Sequence, residues 1–171
     1  MWAAEQKHRQ HEPHEHGAGQ LHLVIDGKQL QMELKLPGMD VVGFEHEPRN
    51  DEQKQALAKA IATLKDPTRI FEIDASGQCA PGAVEAQSVM LAEEEHEHEA
   101  KEEHEEEEGS HTEFHARYTF TCAAPDQIAA VRVNIFELFK GSKKLAVQMV
   151  TPTKQTAREL TPTSAVISGL Q

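Results

Sequence analysis

The chain is short of the residues on which most enzyme sites and membrane anchors depend. It has one tryptophan, one tyrosine and two cysteines. No apolar run reaches the roughly eighteen residues that a spanning helix needs, so nothing crosses a membrane as a helix. Two cysteines cannot make a thiolate zinc site alone, and they are not spaced as C-x-x-C. H-E-x-x-H is absent: His11-Glu12-Pro13-His14 is one residue short, and Pro13 disfavours a helix interior. His111-Thr112-Glu113-Phe114-His115 is not the inverted zincin pattern. There is no nucleophile elbow, P-loop, dinucleotide fingerprint or D-x-D-x-D-G calcium loop. These absences argue against an enzyme. Positive charge is also scarce, with 17 Lys and Arg against 29 Asp and Glu and a formal net charge of −12. A phosphate backbone would be repelled, which excludes nucleic acid as a partner. No signal peptide is visible, and Met1-Trp2-Ala3 followed by polar residues reads as an engineered start on a mature chain.

What the sequence does have is histidine beside glutamate. Ala92 to His111 contains 11 glutamates and four histidines (His96, His98, His104, His111) with a single lysine. No large apolar residue lies in it, so it cannot drive its own burial and reads as a mobile acidic loop. A second cluster, His8, His11, His14, His16 and His22, opens the chain. Nine of the 11 histidines thus fall in two short tracts. Neutral imidazole is the commonest side-chain ligand for zinc, copper and nickel, and carboxylates add oxygen ligands and attraction for cations. The pattern points to metal capture. A solvated low-complexity segment or an expression tag gives a similar signal, but here His and Glu interleave in two separated places, one of them internal.

The remaining sequence predicts an α+β fold, mainly antiparallel sheet with one principal amphipathic helix. Residues 1–17 form a flexible His-rich segment, and 18–171 form a single domain interrupted by the 92–111 loop. Leu21, Leu23 and Ile25 alternate with His22, Val24 and Asp26, and Leu30, Met32, Leu34 and Leu36 follow the type I′ turn signal Asp26-Gly27. This is a hairpin with His22 on the face opposite the leucines. Met39 to Phe44 is a short apolar segment after Pro37-Gly38. Asn50 is a good N-cap with Gln53 at the capping-box position, and Leu57, Ala60, Ile61 and Leu64 recur at helical spacing over about 51–65. Arg69 to Asp74 and Ala83 to Leu91 read as strands around a Gly/Pro loop carrying Cys79. Phe114, Ala116, Tyr118, Phe120 and Cys122 give a half-buried strand whose other face carries Glu113 and His115. Asp126 to Val131 reads as a helical turn. Val131 to Phe139 and Lys144 to Val150 read as a second hairpin, with a last strand or two between Gln155 and Ile167.

Spacing limits which histidines share an ion. On a strand, i and i+2 stand about 7 Å apart on one face and i and i+4 about 13 Å apart. His111 and His115 therefore cannot chelate one metal from a straight strand, whereas His14 with His16, or His96 with His98, can do so in a flexible segment. The expected ordered site combines the N-terminal tract (His11, His14, His16, His22) with His111, Glu113 or His115. The loop histidines His96, His98 and His104 supply weaker exchangeable sites. His46, with Glu45 beside it, is a further candidate; a lone histidine next to a turn is more often structural. Cys79 and Cys122 are expected to form a disulfide, closing a loop of about forty residues and contributing on the order of 3–4 kcal/mol through the unfolded state. Two unrelated buried thiols are the blander reading.

The order of these features resembles a family. His14-Glu15-His16-Gly17 leads into the first hairpin. Pro37-Gly38-Met39-Asp40-Val41-Val42-Gly43-Phe44-Glu45-His46 follows it, then the His/Glu insert, then Tyr118-Thr119-Phe120-Thr121-Cys122. Over nearly its whole length the chain looks like the ZrgA-type zinc-uptake proteins of Gram-negative bacteria. The resemblance implies a secreted, periplasmic protein, its signal peptide removed, that binds Zn2+ and assists an ABC-type importer. It does not assign individual ligands. The chain is smaller than the two-lobed cluster A-I receptors, so an accessory donor or buffer fits better than the importer's main receptor. Two alternatives remain: a periplasmic buffer or resistance protein for Zn2+, Cu2+ or Ni2+, and a structural domain whose His/Glu loop senses pH.

Overall fold

The computed structural model describes residues 16–88, 90 and 113–170. The expected hairpin is β1 (Ala18–Asp26) and β2 (Gln29–Pro37), antiparallel, with Leu21 opposite Leu34 and Leu23 opposite Met32. Its connecting residues are Gly27 and Lys28, and of the two only Gly27 has positive φ, at 55°. A type I′ turn needs positive φ at both, so this is instead a turn led by glycine. The apolar segment after β2 is a single helical turn, α1 (Gly38–Val42), ended by Gly43 in the left-handed region.

The principal helix is α2 (Asp51–Leu64). The Asn50 side chain accepts from the Gln53 backbone N–H at 2.9 Å, and the Gln53 side chain accepts from the Arg49 N–H. Leu57, Ala60 and Leu64 are buried on one stripe. The next segment is not a continuous strand from Arg69. Asp66 caps a short helix α3 (Pro67–Ile70), because Pro67 is preorganised for a first turn, and only β3 (Phe71–Ile73) is extended.

Cys79 does not lie in a loop; it opens β4 (Cys79–Ser88), an edge strand in which Pro81 and Gly82 are accommodated by an irregularity between Pro81 and Val84. The half-buried strand is β5 (Glu113–Cys122). β6 (Ala130–Val133) and α4 (Ile135–Leu138) occupy the segment expected as the first arm of a second hairpin. No such hairpin forms. Asn134 breaks the extended run, its side-chain amide donating to Arg69 O and Glu72 Oε1, and the buried Ile135 and Phe136 then pack from a helical turn. β7 (Lys144–Val150) pairs parallel with β1 on one side and antiparallel with β8 (Gln155–Leu160) on the other. β9 (Val166–Ser168) closes the chain's strands.

The strands make two sheets, a six-stranded one in the order β4-β5-β2-β1-β7-β8 and a three-stranded one in the order β3-β6-β9. The parallel β1–β7 pair is the exception to an otherwise antiparallel pattern. Alternation puts the leucines of β1 and β2 on one face with Phe114, Ala116, Tyr118 and Phe120 of β5 and Leu145, Val147 and Met149 of β7. Tyr118 ties this face to the second layer. Its hydroxyl donates to Leu64 O at 2.8 Å, and its ring meets Phe71 edge-on at 5.1 Å. Burial pushes its phenol far above the ordinary tyrosine range, so it stays a donor. The opposite face carries His22, Glu33, Lys35, Glu113, His115 and Arg117.

Cys79 and Cys122 are directly opposed in the β4–β5 register and joined by a disulfide. The bridge lies at one end of this strand pair; the segment between Ser88 and Glu113 leaves and returns at the other. Replacing both cysteines with alanine should lower stability by about 2–4 kcal/mol in equilibrium denaturation while leaving zinc binding in place, because the bridge acts by restricting the unfolded chain.

Candidate metal centre

Four strand ends meet at one end of the large sheet. β1 begins at Ala18, β2 ends at Pro37, β4 ends at Ser88 and β5 begins at Glu113. Pro37 pairs with Glu113 and Ser88 with Phe114, while Gln20 and Lys35 pair just inside that edge. The segment carrying His8 to His16 therefore joins the fold at the same end as both stems of the acidic His-rich segment. Of the candidate ligands, His11, His14, His96, His98, His104 and His111 lie outside the described residues. His16, His22, Glu45, His46, Glu113 and His115 lie within them.

The first group sits at the corner between β1 and α1. Gly17 has φ 84° and turns the chain into β1. Its N–H donates to Asp40 Oδ1 at 2.8 Å, and its carbonyl accepts from the N–H groups of Lys143 and Lys144. This places His16 over α1, where its Nδ1 is 3.5 Å from Glu45 Oε1. Glu45 is held there because Gly43 ends α1 and Phe44 buries its ring in the core. His46 follows, stacked on Phe44 with centroids 5.3 Å apart, and its Nδ1 is 2.7 Å from Glu47 O. A carbonyl only accepts, so His46 Nδ1 carries the proton and Nε2 is the nitrogen left to face other groups.

Asp40 is the functional candidate that periodicity and His counting passed over. It is 5% exposed, and its Oδ2 has no hydrogen-bond partner among the described residues. Burial pushes its carboxyl above the usual carboxylate range; the Gly17 N–H, His16 and Lys143 act against that rise, and Glu45 adds to it. The signal was present in the sequence: Asp40 is the one charged residue between Met39 and Phe44, a segment otherwise apolar or glycine.

The second group is on the outer face of β5. Glu113 and His115 are two residues apart and share that face, with Glu113 Oε2 2.8 Å from His115 Nε2. This is hydrogen-bond distance, so the carboxylate orients the imidazole and leaves Nδ1 as its other nitrogen. His22 stands on the same face of β1, opposite Glu33, whose Oε1 lies 3.9 Å from Arg117 Nη2 and 4.0 Å from Lys35 Nζ. His22 and His115 are separated by β2, so the structure does not bring them to one ion. As the side chains stand, no three His, Cys, Asp or Glu residues among the described ones converge on a common point.

The corner depends on close backbone packing. A Cβ on Gly141 would lie 2.5 Å from the Asp40 carbonyl oxygen. Gly141→Ala should therefore displace α1, costing about 1–3 kcal/mol in thermal or denaturant unfolding, a range set by overpacked sites.

No helix among the described residues is long and apolar enough to cross a membrane. A comparison with curated proteins found no match. A family model described as "ZrgA family zinc uptake protein" matches residues 13–168, from the last part of the first His tract to β9. That match covers most of the chain, which belongs to the ZrgA family of zinc uptake proteins.

Proposed function

We propose that this is a periplasmic zinc-binding protein that captures Zn2+ and assists its delivery to an ABC-type importer. The observation that carries this reading is that the described residues flanking both His-rich tracts lie at one sheet end, each beside a His–Glu pair: His16 with Glu45, and His115 with Glu113. Family membership supports zinc as the cargo. The disulfide supports an oxidising compartment, since such bridges persist outside the cytosol.

In this reading the acidic segment raises the local cation concentration, and its histidines give weak, exchangeable sites. The ordered pairs then hold the ion at the rim of the sheet. Glu113 fixes the His115 ring, as carboxylates commonly do for metal-bound histidines, so that Nδ1 receives the metal. His22 and His46 each contribute a single imidazole apart from these pairs. No catalytic role is assigned; the donors are arranged to bind. The rival reading, a buffer for Zn2+, Cu2+ or Ni2+ without a dedicated importer, differs in partner rather than in site chemistry.

Calorimetric titration of the metal-free protein tests this. More than one zinc ion should bind per chain at neutral pH, and affinity should fall between about pH 7 and pH 5. Protons compete for imidazole nitrogens whose reference pKa is about 6.5, so binding is favoured above that value and lost below it. Less than one ion per chain in tag-free protein at pH 7 would sink the proposal.

The strand register gives a second test. Ser88 and Glu113 flank the acidic segment on adjacent paired strands. Deleting residues 93–109 should lower zinc stoichiometry while leaving the melting temperature of the metal-free protein nearly unchanged. A large fall in that temperature would assign the segment a structural role instead.

A further inference from the structure

Resting on the zinc-capture reading, we infer that Asp40 is itself a zinc ligand, its Oδ2 completing a three-residue site with His16 and Glu45. A buried carboxylate oxygen without a partner is costly, and native structures keep such atoms rare. Asp40 Oδ2 is such an atom among the described residues, on a side chain that is only 5% exposed. Lys143 attracts the carboxylate from nearby but gives Oδ2 no hydrogen bond, since it directs its ammonium to Lys140 O at 2.9 Å. A divalent ion would partner that oxygen directly.

The neighbouring pair has the spacing of co-ligands. Two donors on a tetrahedral zinc, each at about 2.0–2.1 Å, stand roughly 3.3–3.5 Å from one another. His16 Nδ1 and Glu45 Oε1 are 3.5 Å apart. This is too long for a good hydrogen bond, unlike the 2.8 Å between His115 and Glu113. The His16–Glu45 contact is thus looser than the hydrogen bond between His115 and Glu113.

The supporting geometry is fixed where it must be and loose where it can be. Gly17 N–H occupies Asp40 Oδ1, which orients the carboxyl and leaves Oδ2 for the metal. Phe44 anchors Glu45 from below. The three donors do not converge as they stand; the His16 side chain is 63% exposed, and zinc binding requires its ring to shift toward Oδ2 while keeping Glu45 within co-ligand reach. Two carboxylates neutralise a divalent charge, and imidazole adds the nitrogen ligand that zinc favours. The fourth position is left for water or another donor.

The test uses the full chain. Zinc is titrated calorimetrically at pH 7 into wild type, Asp40→Asn, His16→Gln and the double variant. Asparagine keeps an oxygen to accept from Gly17 N–H but removes the charge. Asp40→Asn should weaken the tightest zinc site at least about tenfold and leave the weaker sites in place. The double variant should lose little more than either single one, because all act on one ion. Metal-free Asp40→Asn should melt at or above the wild-type temperature. A tightest site unchanged within about twofold in Asp40→Asn would overturn the assignment while leaving the zinc-capture reading intact. Zinc binding absent from the wild type would end both. Should Asp40→Asn fail to fold, carbon-detected NMR of the wild type decides. The Asp40 carboxyl carbon must shift with zinc over the same stoichiometric range as the His16 ring; a carboxyl that stays still while the ring moves refutes the role.

Discussion

β2 is held by ladder hydrogen bonds to β1 on one side and β5 on the other. A slip of one residue on either side would turn its leucines to the polar face. Leu30, Met32, Leu34 and Leu36 are essentially unexposed, so that slip would cost the centre of the core. Register fixed in this way also fixes where the strands stop. Pro37 cannot extend the ladder as a donor and ends β2 opposite Glu113. The chain then turns immediately into α1, which carries Asp40, and on to Glu45. A buried apolar face thus determines the address of the polar groups at the rim, although none of those groups contributes much to the core.

The readable parts of the sequence were those whose signals are local. The β1–β2 hairpin follows from alternation, and α2 follows from the Asn50 cap with leucines and alanines at helical spacing. The disulfide was legible because Cys122 lies on the apolar phase of β5. The parallel pairing of β7 with β1 was not legible, because alternation gives the faces of a strand but not its neighbour. The expected hairpin over Val131 to Val150 failed for a related reason. Ile135 and Phe136 are apolar in either conformation, and what decides is Asn134 reaching across to Arg69 and Glu72, more than sixty residues earlier.

The candidate site divides in the same way. The His/Glu pairing of His115 with Glu113 was readable, since i and i+2 share a face of any strand. That His16 would face Glu45 could not be read from spacing, because the two are brought together by the Gly17–Asp40 hydrogen bond across a separation of 23 residues. Asp40 stands out as a single acidic residue in an apolar segment, but nothing local decides whether it faces solvent or the interior. Its burial depends on tertiary packing, including the close approach of Gly141.

The disulfide and the donor groups stand at opposite ends of the β4–β5 pair, and this separation has a physical consequence. Cys79 and Cys122 fasten the pair where the edge strand β4 is irregular, near Pro81 and Gly82. The far end needs no such tie, because Phe114, Ala116 and Tyr118 bury that part of β5 against the core. A long polar segment can therefore depart from Ser88 and return at Glu113 without loosening the sheet, since the cost of lengthening a loop grows only logarithmically. The same arrangement keeps thiol chemistry away from the imidazoles and carboxylates. The candidate donors at the rim are then nitrogen and oxygen alone, a set that would grip a zinc ion less strongly than thiolate does.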